Sequence, residues 1–206
     1  MENFSKKEAI KFGWEIAKKK IKFFIPILIL VFGISSLLDY LSDLAKRKSF
    51  LISFFLTIIG VALSIIFSLG LVKISLKICD GEEPKISDLF SQYRLFFRFL
   101  FASIIRNLVT LFGFILLIIP GIIFSIRLNF FDYLIVDRNS RIIESLKKSW
   151  EITKGSTWNL FLLYILLGLI NVLGFFALIV GLFWSIPTAM VAEAFVYRKL
   201  SSELKV

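Results

Sequence analysis

Between residues 158 and 196 the chain is overwhelmingly apolar, with Asn171 and Glu193 as isolated interruptions deep within the run. A hydrocarbon layer about 30 Å thick is crossed by about 20 helical residues. A run of this length must therefore fold back on itself as a helical hairpin, turning between Gly174 and Gly181. Lipid offers backbone groups no partners, so each arm must satisfy its own as a helix. Shorter apolar runs at 21–38, 50–72, 95–118 and 122–136 repeat the pattern, and Pro120-Gly121 is too short a link to do more than turn the chain back. With 58% hydrophobic and 19% charged residues, a water-soluble chain of this length could not hide its apolar side chains in one core. The expected fold is all-α: a polytopic membrane protein with six transmembrane helices arranged as three hairpins in a single membrane domain over residues 1–206.

The charges report topology. Of the 25 Lys and Arg residues, 20 fall in alternate segments (the N-terminal stretch, 73–98, 138–154 and the tail) and 3 in the link 39–49. By the positive-inside rule this bias places both termini in the cytoplasm, in the cell membrane. The net charge of +10 is thus read as orientation signal and contact with anionic lipid, not as a nucleic-acid surface. The basic leading segment 5–20 is too long and too regular for the start of a signal peptide. There is no His and only one Cys, Cys79, so the commonest general base and transition-metal ligand are missing. A non-enzymatic protein with no cofactor and no metal is expected.

A short amphipathic surface helix is expected before each hairpin. Ser5-Lys-Lys-Glu8 is a capping box opening the first, with Ile10, Trp14 and Ala17 on its apolar face. Ser87-Asp88 would cap a second, carrying Leu89 and Tyr93; the third runs over 140–154 and ends at Gly155. At an offset of 136 the first and third share Glu8/Glu144, Lys11/Lys147, Trp14/Trp150, Glu15/Glu151, Ile16/Ile152 and Lys18/Lys154. Gly60-x-x-x-Ser64, Gly121-x-x-x-Ser125 and Gly181-x-x-x-Ser185 recur at about the same interval in the even-numbered crossings. Three copies of one unit follow, at about 5–78, 84–138 and 139–200. The competing reading is that biased membrane composition generates such matches, since small-x-x-x-small patterns are common in membrane helices.

Leu116-Leu-Ile-Ile-Pro-Gly121 with Arg127, the Val136-Asp137 pair, Ser149-Trp-Glu-Ile-Thr-Lys-Gly155, and Ile186-Pro187 followed by Tyr197 resemble bacterial and archaeal integral-membrane domains of unknown function. That group is similar to the membrane domain attached to some glycerophosphoryl diester phosphodiesterases. The resemblance implies a stand-alone, lipid-associated membrane module without the catalytic barrel, for which this chain has neither room nor a His.

Ionisable and strongly polar groups inside crossings are costly and are functional candidates by default. Here they are Arg106, Arg127, Asn129, Asp132, Asn171 and Glu193. Helical rise places Arg106, Asp132 and Glu193 at similar distances from their turns, and Arg127 higher, near Asn129 and Asn171. They could form a proton or anion path or a head-group pocket. The favoured reading is structural: Arg106 pairs with one acid to fix helix register, and Arg127 bonds carbonyls freed around Pro120. On the surface helices Lys11, Trp14, Lys18, Lys147, Trp150 and Lys154 are candidates for contact with anionic lipid or a protein partner. The leading expectation is a scaffold or accessory module with a basic cytoplasmic face; the alternative is a small transporter or channel using the intramembrane Arg, Asp and Glu.

Overall fold

The computed structural model describes residues 4–177 and 180–202, and among these the chain is helical throughout, with no strand. Nine α-helices follow in order: α1 (Lys6–Lys19), α2 (Ile21–Lys46), α3 (Phe50–Cys79), α4 (Phe96–Leu116), α5 (Ile118–Arg127), α6 (Phe131–Arg138), α7 (Ile142–Ile152), α8 (Thr157–Phe176) and α9 (Leu182–Ser202). Among the described residues five segments are long and apolar enough to cross a membrane: Ile21–Lys46, Phe50–Cys79, Ile86–Leu116, Ile118–Arg138 and Thr157–Phe176. The expected sixth crossing corresponds to α9, which is not among them. It carries Glu193, Arg198 and Lys199 and is largely buried at the centre of the body, against α1, α3 and α8.

Ser5 caps α1 as expected, its hydroxyl accepting the Glu8 N–H at 3.3 Å. The buried face of α1 keeps the expected Ala17, with Ile10 part-buried against the core, and departs from the expectation at Trp14. Ala9, Gly13 and Ala17 turn inward while Trp14 remains 48% exposed. Small residues four apart let the α1 backbone lie directly on α9, which a face built on Trp14 would hold away. At Gly13 even a methyl group would collide with the Thr188 carbonyl.

α2 and α3 pair as a long hairpin stitched by Ser42, whose hydroxyl lies 3.1 Å from that of Ser53 and 3.0 Å from that of Thr57. The Gly60, Ser64 and Ser68 stripe does not draw backbones together. The nearest atom to a side chain at Gly60 would be Leu38 Cβ at 4.0 Å, and the stripe lines a cavity of about 280 Å³ with Ser42 and Thr57.

The second amphipathic helix does not form. Residues 86–95 make two 3-10 turns, Ile86–Leu89 and Tyr93–Leu95, docked on α3. Asp88 accepts two bonds from Lys77 Nζ, at 2.9 and 3.0 Å, and one from the Lys85 N–H at 2.7 Å. Leu89 is fully buried, its backbone filling the space left by the missing side chain of Gly70. These anchors lie within a few residues of each other, so the tighter 3-10 winding wins over a continuous α-helix.

The turn between the third and fourth runs also shifts. It occurs at Leu117, whose extended backbone (φ −166, ψ 158) separates α4 from α5, and Pro120 falls inside the first turn of α5. A proline there forfeits no helical hydrogen bond, because the first amides of a helix have no partner within it. Gly121 instead closes the hairpin: a side chain at Gly113 would stand 2.9 Å from Gly121 Cα. The α8–α9 hairpin closes the same way, Gly174 facing Gly181 and the Ser185 hydroxyl. The expected turn between Gly174 and Gly181 contains residues 178 and 179, outside the described residues; its flanks are α8, ending at Phe176, and α9, opening at Leu182.

The fourth run is not one helix. It breaks at residues 128–130, between α5 and α6.

Candidate functional site

The α5–α6 break positions the polar centre. Three residues between helices leave backbone groups without helical partners, and a buried unpaired amide or carbonyl costs about 1–3 kcal/mol. α7 supplies the partners. The Ser149 hydroxyl accepts the Phe130 N–H at 3.1 Å and donates to the Arg127 carbonyl at 2.8 Å, which Thr153 also reaches at 3.3 Å. Arg127 lies over the Trp150 ring at 3.5 Å and donates to the Trp150 carbonyl at 2.8 Å. The Ser-Trp-x-x-Thr motif is therefore a brace for the break. The chain then leaves α7 through Gly155, whose positive φ of 84 suits a residue without a side chain.

So fixed, Asn129 faces the interior. Its Oδ1 accepts from Arg106 Nη2 at 3.1 Å and its Nδ2 donates to the Tyr164 hydroxyl at 2.9 Å. Arg106 Nη2 also approaches the Ser125 carbonyl at 3.5 Å, while its buried Nε has no partner. These groups line a cavity of about 580 Å³ whose wall also includes Ile122, Ile126, Phe161 and Glu193. A second cavity of about 290 Å³, between α3, α6, α8 and α9, is lined by Ser68, Ser75, Asp132, Asn171 and Glu193 among others. Glu193 belongs to both.

The candidates thus fall into separate groups. Arg106, Asn129 and Glu193 share the larger cavity; Asp132, Asn171 and Glu193 share the smaller. Arg127 is not near Asn171 or the carbonyls around Pro120: the break and the Trp150 ring hold it against α7. The expected buried pair is also absent, since among the described residues Arg106 forms no ion pair with Asp132 or Glu193. The amide of Asn129 lies where a carboxylate was expected. Asp132 turns back on its own helix, accepting the Tyr133 N–H at 2.8 Å, and Asn171 Oδ1 is buried without a partner. Glu193 makes no hydrogen bond or ion pair among the described residues.

Tyr164 is a site residue that reading the sequence missed. Its signal is position: a tyrosine well inside an apolar run, away from the interface where such rings collect. A second missed group fastens helix ends together. Asp137 accepts from the Tyr197 hydroxyl and from Arg198, both at 2.8 Å, and Arg198 also donates to Asp80 at 2.6 Å.

On the surface Lys11, Lys18, Lys147 and Lys154 are exposed, as expected, and Lys11 lies 3.9 Å from Glu15. Trp14 and Trp150, aligned in sequence, do different work: the first faces outward, the second packs beneath Arg127 and against Phe124. Glu144, at the start of α7, is held below its ordinary range by the hydrogen bond from Lys148 and then by the Arg141 amide. Among the described residues no group of three or more acidic, Cys or His side chains is placed to hold a metal ion.

A helical body with five membrane-length apolar segments and a polar interior defines a multi-pass membrane protein. The chain belongs to the family of a domain of unknown function, DUF7847, whose model matches residues 27–200. It is 32% identical over 125 residues to the UPF0259 membrane protein BU276 of Buchnera aphidicola subsp. Acyrthosiphon pisum, covering 58% of this chain and 50% of that protein. It is 34% identical over 141 residues to Uncharacterized protein Rv2560 of Mycobacterium tuberculosis, covering 68% of this chain and 43% of that one. The chain thus spans about half the length of the curated relatives it matches. No solved structure matches it.

Proposed function

We propose that this protein is a small carrier that seats a polar solute in the cavity of Arg106, Asn129, Tyr164 and Glu193 and passes it on through the cavity of Asp132 and Asn171. One observation carries the reading: Glu193 lines both cavities and, among the described residues, is without a partner, opposite an arginine that no carboxylate among them neutralises. Buried charges left unpaired are expensive, and a protein keeps them where a ligand completes them. A register-fixing pair would have consumed both charges. The elements behind the resemblance to the phosphodiesterase membrane domain, Pro-Gly and Ser-Trp-x-x-Thr-Lys-Gly, serve packing here and lend the site no chemistry.

The test is access. In a Cys79→Ala background, Glu193→Cys and separately Ser125→Cys, reconstituted in vesicles, should react with a small impermeant thiol reagent supplied from either face. Protection of both positions from both faces would show a dry interior and end the carrier reading.

A second reading rests on the exposed lysines and Trp14: contact between α1, α7 and anionic lipid, each basic residue contributing about 1 kcal/mol near such a surface. Replacing Lys11, Lys18, Lys147 and Lys154 with Gln should lower the stabilisation that added phosphatidylglycerol gives in detergent; an unchanged response sinks it.

A further inference from the structure

The larger cavity does not end in protein. Its apolar wall of Ile122, Ile126 and Phe161 is also the wall of a neighbouring groove of about 390 Å³ between α5 and α8, completed by Ile119, Ile123 and Trp158. Ile119 is 70% and Trp158 68% exposed, so the groove opens sideways, and both helices belong to membrane-length apolar segments. A molecule occupying groove and cavity together lies half in an apolar channel and half among Arg106, Asn129 and Glu193.

Charge narrows the occupant. An anionic head group would satisfy Arg106 but face Glu193; a cationic one would do the reverse. In a low-dielectric interior either mismatch is severe. A head group bearing both charges answers both residues, the phosphate being held by charge-assisted hydrogen bonds from the guanidinium. We propose that the solute is an amphiphile with a zwitterionic head group, phosphate at Arg106, primary ammonium at Glu193, and acyl chain in the α5–α8 groove, entering laterally from the bilayer. This rests on the carrier reading and adds to it the class of solute and its route. The combined space falls within the ordinary range of ligand pockets, about 300–1,000 Å³.

The full chain, purified in mild detergent and mixed with equal amounts of phosphatidylethanolamine and phosphatidylglycerol, is examined by native mass spectrometry. Retention of phosphatidylethanolamine by about tenfold or more is expected. Glu193→Gln should erase the preference, and Ile123→Trp, which fills the groove without touching the polar cavity, should cut occupancy. Should Ile123→Trp fail to fold, Trp158→Ala, which removes the mouth of the groove, takes its place and should also weaken retention. Equal retention of the two lipids by the unaltered protein overturns the inference. So does retention of water-soluble phosphoethanolamine as strong as that of the lipid and indifferent to the groove variants. That last result would leave the carrier reading standing, whereas the thiol-access experiment alone decides the latter.

Discussion

Ser149 carries more structural consequence than its size suggests. One hydroxyl accepts a buried amide and donates to a buried carbonyl across the α5–α6 break. Ser149→Ala should destabilise the protein by about 1–3 kcal/mol, because the Phe130 N–H is left unpaired. Ser156→Ala, at a buried hydroxyl with no partner, should cost far less. Thermal unfolding of both in the same detergent checks the contrast. Arg127→Lys should also destabilise, by about 0.5–2 kcal/mol, since a lysine keeps the charge but loses the planar contact with Trp150. None of this could be read from residue order. Ser149, Trp150 and Thr153 stand out as a motif in the sequence, but the break they serve is created by tertiary packing, so helical spacing alone points Arg127 to the wrong neighbours.

Among the elements, the sequence was most legible where a single physical constraint dominates. Long apolar runs gave helices, Ser5 capped α1, and α2 with α3, α4 with α5 and α8 with α9 came together as hairpins. It was least legible where backbone contact decides. The inward face of α1 follows its smallest residues, not its most apolar ones, and the 86–95 segment takes the shape that Gly70 and Lys77 of α3 impose. Gly13→Ala should therefore weaken the α1–α9 contact measurably. Gly33→Ala, in open space midway along α2, should be neutral or stabilising by up to about 1 kcal/mol, the usual gain for replacing a helical glycine. Comparison of their unfolding midpoints tests whether close approach, and not glycine itself, matters at residue 13.

For the whole molecule, the charge bias predicts that the α2–α3 link faces outward and the α3–α4 link inward. With Cys79 replaced by Ala, Lys48→Cys should react with an impermeant thiol reagent added to intact cells, and Lys85→Cys should not; the reverse pattern would invert the orientation. Acid should act on α7 through Glu144. Glu144 is more acidic folded than unfolded, so its stabilising share is complete above the ordinary carboxylate value, about 4.5, and is lost as pH falls through its lowered folded value. Glu144→Gln should flatten that part of the acid limb of the unfolding curve.

The clasp of Asp80, Asp137, Tyr197 and Arg198 sets some helix ends apart from the others. The ends of α3, α6 and α9 are riveted by charge-assisted bonds, whereas the α4–α5 and α8–α9 turns are each closed by glycine contacts. Any breathing that admits a solute therefore begins at the glycine-closed turns and not at the clasp. Amides around Gly113 and Gly174 should accordingly exchange with deuterium before those around Cys79 and Val196.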